Sequence, residues 1–331
     1  MTLREAVLAA LKEKKGEWVS GEALSESLKV SRTAVWKHIK TLLAEGYEIE
    51  SSPKKGYRIS APADLLSPEE VWPGLATKVF GRQEYFYYRE IDSTNKRARV
   101  LASEGYAEGT VVVAEMQTAG RGRRGRSWFS PANQGIYVSV ILRPLLPLKE
   151  ISMVSLVAAV AVAATLELEL NLQPRIKWPN DVLIDNKKIS GILSEAVTDM
   201  DGVEYIVVGI GLNINNQIQD FPADLRTPPT SALAEHGRPN SRIKVLQGLL
   251  LHFENYYQQL LAGNFAMTLD KAKSLSMVIG QEVRLDTVNG FTLGKAIDID
   301  DSGFLLVRDQ EGTIHTVMSG EISILPSNLE K

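Results

Sequence analysis

The sequence predicts an α+β protein with three domains: an N-terminal winged helix-turn-helix, a central domain built on a mixed α/β sheet, and a small C-terminal β-barrel. Three observations support this prediction. Helical periodicity followed by a hairpin pattern fills the first 60 residues, short strand-like runs follow one another through the middle, and strand patterns dominate from residue 279. We place the domains at residues 1–62, 75–275 and 279–327, and a chain of 331 residues has room for them.

The composition is that of a globular protein without thiol chemistry. Hydrophobic residues make up 44% and charged residues 23% of the chain. The absence of cysteine excludes disulfides and zinc–thiolate sites, and the four histidines show no metal-ligand spacing. No apolar run reaches the length of a membrane span and no signal-peptide pattern is present, so we expect a cytoplasmic protein with no membrane partner. The longest apolar stretch, residues 153–166, is predicted to be a buried helix.

The charge is distributed unevenly between the N-terminal module and the rest of the chain. The net charge is −3, which argues against indiscriminate nucleic-acid binding by the whole molecule. The first 60 residues carry 11 Lys and Arg against 8 Asp and Glu, and the remainder carries 26 against 32. A modestly basic module therefore precedes an acidic body.

The N-terminal module has the pattern of three helices and a hairpin. Residues 3–11 place apolar side chains at helical spacing. Ser20 is suited to be the N-cap of a second helix, and Ser31 that of a third helix, which Gly46 ends. Two short strand patterns then flank a Ser-Ser-Pro-Lys-Lys tip. This order of elements predicts a winged helix-turn-helix.

In such a module the second helix of the pair enters the major groove and the wing meets phosphates. The basic, polar face favours DNA binding, and a winged helix used only for protein contacts is the alternative. The expected DNA-binding residues are Ser31, Arg32, Thr33 and Lys37 on the helix, and Lys54, Lys55 and Arg58 on the wing. Closely spaced prolines predict a linker over residues 60–75.

The central domain shows more strand patterns than helical ones. Strand-like runs occur at residues 85–88, 110–115, 137–142, 175–177, 182–184, 191–196 and 205–212. Helical patterns occur at residues 93–101, 153–168 and 244–261. Because strands often follow one another directly, a mixed sheet is expected rather than a regular alternation of strands and helices.

The most informative segment is Gly-Arg-Gly-Arg-Arg-Gly-Arg-Ser-Trp at residues 120–128. Glycine allows close approach of the backbone, and arginine supplies forked donors for phosphate or carboxylate oxygens. The three glycines also fit a dinucleotide-binding fingerprint, but a loop composition follows where that fold needs a helix. A disordered RNA-binding tract and a solvated basic turn are the other interpretations. The composition favours a loop that binds an anion such as a nucleotide phosphate.

Further polar clusters lie at predicted strand ends. They are Asp-Ser-Thr-Asn at residues 92–95, Lys-Trp-Pro-Asn-Asp at 177–181, Lys-Lys-Ile-Ser-Gly at 187–191 and Gly-Ile-Gly-Leu-Asn at 209–213. Taken singly, each also fits a helix cap, a turn or a solvated charge pair. Their co-occurrence is what favours a binding site.

In series, these clusters and the glycine–arginine segment 120–128 resemble the motifs of the biotin protein ligases, and the N-terminal module resembles that of the bifunctional type, which is also the repressor of the biotin operon. The resemblance covers essentially the whole chain. It implies that the central domain has the mixed α/β ligase fold of the biotin/lipoate ligase type. It also implies that the C-terminal domain is an SH3-like barrel, with turns at residues 288–290 and 301–303.

The resemblance also implies roles for individual residues. The catalytic residues would be Lys188, Arg121, Arg123 and Asp181, with Asp181 near the Mg²⁺ ion of the nucleotide. The site for biotin and biotinyl-5′-AMP would be lined by Ser93, Thr94, Asn95, Gln117, Gly120, Arg121, Gly122, Arg123, Arg126, Trp128, Lys188, Gly191, Gly209, Gly211 and Asn213. Residues 220–235 are a candidate loop near the adenine, without assigned roles.

The implied activity is an ATP-dependent biotin–[acetyl-CoA-carboxylase] ligase that uses ATP, biotin and Mg²⁺. Its partners would be the biotin carboxyl carrier protein of acetyl-CoA carboxylase and of other biotin-dependent enzymes, operator DNA, and a second copy of the chain in a homodimer when the adenylate is bound. The alternatives are a lipoate–protein ligase, a transcription factor that senses its ligand without catalysis, and an RNA-binding protein.

Overall fold

The structure is a computed structural model that describes residues 2–14, 16–60, 64–147, 150–198, 202–287, 290–318 and 320–325. The chain divides into two compact units, Met1–Pro73 and Gly74–Lys331. The second unit includes both the region predicted to be the central domain and the C-terminal strands.

The first unit is a winged helix-turn-helix, as predicted. Its helices are α1 (Leu3–Glu13), α2 (Gly21–Ser27) and α3 (Arg32–Ala44), and its wing is the antiparallel pair β1 (Ile49–Ser52) and β2 (Gly56–Ile59). Side chains of Thr2, Ser20 and Ser31 accept backbone N–H groups at the three helix starts. Buried Val7, Leu24 and other apolar residues from the three helices form one core, which fixes the exposed face of α3.

The segment predicted to be a linker is partly folded onto this first unit. Residues 61–63 lie outside the described residues, but α4 (Pro68–Val71) follows them, and Leu65 and Leu66 are buried. Arg4 forms ion pairs with Glu45 and Glu69. Pro68 therefore starts a helix in a docked segment, where the leucines gain burial and the carboxylates of Glu69 and Glu70 gain cationic partners.

The second unit contains a seven-stranded mixed sheet in the order β3-β4-β5-β9-β8-β7-β6. Its strands are β3 (Tyr85–Ile91), β4 (Val111–Gln117), β5 (Gly135–Leu142), β6 (Arg175–Lys177), β7 (Asp181–Ile184), β8 (Lys187–Thr198) and β9 (Val203–Asn213). The β3–β4 pair is parallel and the other pairs are antiparallel. This confirms the predicted mixed sheet.

The helices described in this unit are α5 (Thr94–Ser103), α6 (Ile151–Leu170), α7 (Ala232–His236), α8 (Arg242–Leu261) and α9 (Phe265–Leu275). Of these, α5, α6, α8 and α9 pack against the sheet. Within the described part of the chain, α6 is long and apolar enough to cross a membrane, but 72% of its most apolar window is buried inside the fold. It is therefore the core helix that its Ala- and Val-rich composition predicts.

The C-terminal strands form a five-stranded antiparallel sheet in the order β13-β12-β11-β10-β14. They are β10 (Glu282–Thr287), β11 (Gly290–Ile299), β12 (Leu305–Asp309), β13 (Ile314–Val317) and β14 (Glu321–Ile324). The described strand pairings do not join β13 to β14, so the barrel is open along that seam. The predicted turn at residues 301–303 is present, with Gly303 at φ 78°, whereas residues 288–289 lie outside the described residues. Trp178 Nε1 donates to Gly303 O at 2.9 Å and ties this sheet to the central one.

Candidate active site

A cavity of about 920 Å³ lies where the glycine–arginine loop, residues 120–128, faces the ends of the central strands. Fourteen of the fifteen residues predicted to bind biotin or its adenylate line it, as does Asp181. The exception is Gly120, which accepts the Trp128 N–H at 2.8 Å and closes the base of the loop instead. Sequence segments more than a hundred residues apart thus form one site.

Two glycines form the floor of the cavity beneath Trp128. Gly191 of β8 and Gly211 of β9 are register partners in neighbouring strands. A Cβ atom would approach Trp128 Nε1 to 2.3 Å at Gly211, and the Trp128 ring to 2.9 Å at Gly191. The indole therefore packs against a part of the sheet where a side chain larger than glycine would collide with it.

A buried hydrogen-bond network forms one wall of the cavity. Asn95 Oδ1 accepts from Ser139 Oγ at 2.7 Å, and Asn95 Nδ2 donates to Leu193 O at 3.2 Å. A Cβ atom at Gly209 would lie 1.8 Å from Asn95 Oδ1, so the glycine makes room for this amide. Asn95 is 4% exposed, and its orientation is fixed by these contacts.

The network continues along the start of α5 and the end of β4. The backbone N–H and the hydroxyl of Thr94 both donate to Gln117 Oε1, at 2.9 and 3.1 Å. Gln117 Nε2 donates to Ser130 Oγ at 2.9 Å. Ser93 is the N-cap of α5, so the Asp-Ser-Thr-Asn cluster serves both as a cap and as a wall of the cavity.

Lys188 lines the cavity between a carboxylate and an aromatic ring. Its Nζ lies 2.8 Å from Asp181 Oδ1 and 5.4 Å from the centroid of the Trp128 ring. The backbone N–H of Lys188 donates to Pro228 O at 2.7 Å, and the Thr230 N–H donates to Lys188 O at 2.9 Å. These contacts aim a positive charge into the cavity.

The Thr230 segment is stabilised by an ionised carboxylate. Burial by itself would raise the pKa of Glu235, but the hydrogen bond from Thr230 and the Lys187 ammonium outweigh it and lower that pKa. Lys187 Nζ lies 2.9 Å from Glu235 Oε1. Of the two adjacent lysines, Lys187 therefore stabilises the Thr230 segment, and Lys188 faces the cavity.

The glycine–arginine loop is a compact turn with its arginines spread around the cavity. Arg124 and Gly125 have φ values of 54° and 72°, and the Gly122 N–H donates to Arg126 O at 2.7 Å. Arg123 Nη1 donates to Asn180 Oδ1 at 2.9 Å, and Arg124 Nη2 donates to Asp286 O at 3.2 Å. The loop is therefore attached both to the central domain and to the C-terminal sheet.

In the described part of the chain, two polar atoms buried in the cavity wall have neither a hydrogen-bond partner nor an ion pair: Asn213 Oδ1, an acceptor, and Trp128 Nε1, a donor. Asn213 is 1% exposed, and its Nδ2 donates to Thr230 O at 3.0 Å. Buried polar groups are normally paired, so this wall suits a ligand with complementary polar atoms.

The site fits a magnesium ion only as part of a nucleotide complex. Among the described residues, no group of three or more acidic or histidine side chains could hold a metal ion. Mg²⁺ commonly takes one or two carboxylates and completes its shell with phosphate oxygens and water. Asp181 is the predicted carboxylate that lines the cavity, beside Lys188.

Three residues that support the cavity were given no role from the sequence. Asn180, inside the 177–181 cluster, anchors Arg123. Ser139 orients Asn95 and Glu195 pairs with Arg121 from positions behind the lining, and both look like ordinary strand residues in the sequence. The unassigned segment 220–235 contributes Phe221, Pro222, Asp224, Leu225, Arg226, Thr227 and Pro229 to the cavity. The polar and proline residues clustered in segment 220–235 were the sequence signal for a loop at the site.

Most of the predicted DNA-binding residues of the first unit are solvent-exposed, namely Ser31, Arg32, Thr33, Lys37, Lys54 and Lys55. Arg58 is half-buried. Arg58 lies over the ring of Trp18 at 4.9 Å, and Lys55 Nζ lies 5.7 Å from the same ring. Sequence reasoning missed Trp36, which is 48% exposed on the polar face of α3 with Lys40 Nζ 3.9 Å from its ring centroid. The result is a cationic helix face and wing.

The second unit has the fold and site of an α/β ligase for an anionic ligand, and the first unit is a winged helix-turn-helix. Family profiles agree with this class. The biotin/lipoate A/B protein ligase family matches residues 87–213, an HTH domain matches residues 3–58, and the biotin protein ligase C-terminal domain matches residues 278–325.

Relatives narrow the class further. The chain is 42% identical to the bifunctional ligase/repressor BirA of Bacillus subtilis, over 98% of this chain and 99% of that protein. It is 32% identical to BirA of Escherichia coli, over 93% and 94% of the two chains. The structure of the Aquifex aeolicus biotin protein ligase in complex with biotin and ATP has a TM-score of 0.63 at 31% identity, covering 74% of this chain and all of that one. The chain belongs to the family of bifunctional biotin protein ligases and repressors.

Proposed function

We propose that the chain joins biotin to a carrier protein through biotinyl-5′-AMP, and that it represses transcription with this adenylate as corepressor. The observation that carries the catalytic half is the single cavity in which Lys188 and the arginine loop face the buried polar wall of Asn95, Thr94 and Gln117. The wall suits a neutral polar ring, and the cations suit a carboxylate beside phosphates.

In the first half-reaction, a carboxylate oxygen of biotin attacks the α-phosphorus of ATP. The bond from the α-phosphorus to the bridging oxygen breaks, and pyrophosphate leaves. This step brings anionic groups together, so its main need is charge neutralisation and in-line positioning. Lys188 Nζ is suited to neutralise the carboxylate and the α-phosphate, and Arg121 and Arg123 line the same cavity.

In the second half-reaction, a lysine amine of the carrier attacks the acyl carbon of the mixed anhydride. The amine loses a proton, the amide forms, and AMP leaves with the electron pair of the broken C–O bond. Lys188 stabilises the charge that develops on the acyl and phosphate oxygens. The glycine–arginine loop shields the anhydride from water while the adenylate is held.

A nucleotide-bound Mg²⁺ ion would be held by Asp181 together with phosphate oxygens, and it would supply additional charge neutralisation at the phosphates. Asn213 Oδ1 and Trp128 Nε1 are an acceptor and a donor for the polar atoms of the nucleotide, since neither has a hydrogen-bond partner among the residues that the structure describes. These assignments rest on the burial of the two atoms and on the place of Asp181 beside Lys188.

For the regulatory half, we propose that the exposed cationic face of α3 and the wing bind operator DNA. Adenylate binding would favour a homodimer, and a two-fold operator would select that dimer. Linkage then makes operator affinity depend on adenylate occupancy. We expect the protein to act in the cytoplasm.

The first test is to incubate the purified chain with ATP, Mg²⁺, biotin and a biotin carboxyl carrier domain, and to measure the carrier mass. We expect one biotin per carrier, and none when ATP is omitted. A lipoate ligase would modify a lipoyl domain with lipoate instead. A sensor without catalysis would bind biotin and release no pyrophosphate, which would overturn the ligase assignment.

A further inference from the structure

The carboxylate of Glu195 joins three parts of the site that are far apart in the sequence. It lies on β8, on the same face as Gly191 and Leu193, because side chains alternate along a strand. Ser194 faces the other way and contacts Ser155 of α6 at 2.9 Å. Glu195 therefore points toward the cavity side of the sheet.

The two oxygens of this carboxylate have different partners. Oε2 accepts from Asn95 Nδ2 at 3.0 Å, and Oε1 lies 3.2 Å from Arg121 Nη1 of the glycine–arginine loop. Arg99 is more distant, at 3.7 Å. The Glu195 side chain is only 20% exposed, so the carboxylate is held where it links the rigid wall to the loop.

We propose that Glu195 is a positioning residue with two separable effects: it holds Arg121, and with it the loop, over the cavity, and it orients the Asn95 amide. The expected effects on adenylate release and on the KM for biotin rest on the proposed function. The Arg121 side chain is about half exposed, so the ion pair is worth a modest amount, and its loss should change loop opening by about two- to fivefold.

Glu195→Gln separates the two effects, because the amide keeps an oxygen for Asn95 but loses the charge that attracts Arg121. The protein is loaded with biotin and α-phosphate-labelled ATP and is then chased with unlabelled substrates. We expect Glu195→Gln to release labelled biotinyl-5′-AMP about two- to fivefold faster, with an unchanged KM for biotin. Glu195→Ala should do both: release the adenylate faster and raise the KM for biotin.

The matched control is Glu204→Gln, an exposed carboxylate on the neighbouring strand β9. It should release the adenylate at the wild-type rate. In Arg121→Gln, the further change Glu195→Gln should have no additional effect on release, because the partner charge is already gone. Equal release from Glu195→Gln and Glu204→Gln would overturn the proposal.

A second readout does not require ligase activity. Trypsin cleaves after arginine, and the loop carries four of them between residues 121 and 126. In the ligand-free protein, we expect Glu195→Gln to be cut in this loop faster than wild type and Glu204→Gln, because cleavage follows the open population. Equal cutting would show that Glu195 does not hold the loop, even if the wild type formed no adenylate and the proposed function were wrong.

Discussion

The two units place their functional residues in opposite ways. The first unit presents DNA-binding candidates on one helix and the adjacent wing, where they are largely exposed and close in sequence. The second unit builds its site from residues of several strands and loops, and Asn95, Thr94 and Asn213 are almost completely buried. A surface made of exposed cations should lose affinity in small, separate steps, whereas a buried, interlocked site should fail in large ones.

The largest effect is expected for Lys188→Ala, which removes the cation aimed into the cavity and leaves Asp181 without it. We expect the rate of adenylate formation to fall about a hundredfold or more, as when other charge-stabilising groups are removed from active sites. Pyrophosphate release measures it. Lys187→Ala, one residue away and paired with Glu235 rather than facing the cavity, is the control and should retain activity. A loss below about tenfold for Lys188→Ala would remove Lys188 from the mechanism.

Gly209→Ala should be the next most damaging change in the buried site. The added Cβ would lie 1.8 Å from Asn95 Oδ1, which is bonded to Ser139 and cannot move freely. We expect a loss of about 1–3 kcal/mol in stability from overpacking, and a biotin Kd raised at least about tenfold. Calorimetry measures the affinity and urea unfolding the stability.

The control for this glycine lies in the other unit. A Cβ at Gly21, in helix α2, would lie 3.5 Å from the Tyr57 ring, an ordinary contact, so Gly21→Ala should leave the biotin Kd unchanged and should not lower the stability. If Gly209→Ala bound biotin as tightly as the wild type, the interlocked wall would not determine biotin binding.

On the DNA-binding unit, Lys55→Ala should have a smaller and sequence-independent effect. Lys55 lies on the wing near Trp18, so we expect it to contact a phosphate. Affinity for a random-sequence DNA duplex should fall a few-fold, and the slope of log K against log salt should fall by about 1. Fluorescence anisotropy over a salt series measures both. Lys14→Ala, at the end of α1, should leave the slope as it is, and an unchanged slope in Lys55→Ala would exclude a phosphate contact.

The smallest effect is expected for Glu69→Gln in the docked segment of the first unit. Burial by itself would raise the pKa of Glu69, but its hydrogen bonds and the Arg4 guanidinium outweigh it and lower that pKa. A carboxyl group with a lowered folded-state pKa stabilises the fold above its unfolded pKa of about 4.3, and this contribution is lost as the pH falls through the folded-state value.

Glu69→Gln should therefore be less stable than the wild type at pH 7, by about 1 kcal/mol or less, and the difference should shrink in acid. Urea unfolding monitored by tryptophan fluorescence at several pH values measures this. Glu48→Gln, an exposed carboxylate in the same unit, is the control. A difference that stayed constant from pH 7 to acid would contradict the role of the Glu69 charge.

The sequence by itself determined most of the helices and strands and most of the residues that line the cavity, although it did not predict α4, α7 or α9. The helix starts at Ser20, Ser31 and Ser93 were predictable because capping is a local hydrogen bond between residues a few positions apart. Apolar spacing identified α6 as a core helix, and fourteen of the fifteen residues that the family resemblance predicted for the ligand site line one cavity. The exception, Gly120, belongs to the base of the same loop.

Only the tertiary structure decided which of these residues contact one another. It also decided which further residues, such as Glu195, contact the site. The register of β8 against β9 places Gly191 beside Gly211 and so creates the floor under Trp128. The crossing of α5 over the sheet brings Asn95 to Glu195, a hundred residues away. Such contacts depend on strand register and packing over long sequence separations, which local periodicity and capping do not encode. For the same reason, closely spaced prolines predict a linker where the structure has a docked segment: the burial of Leu65 and Leu66 depends on a core formed elsewhere in the chain.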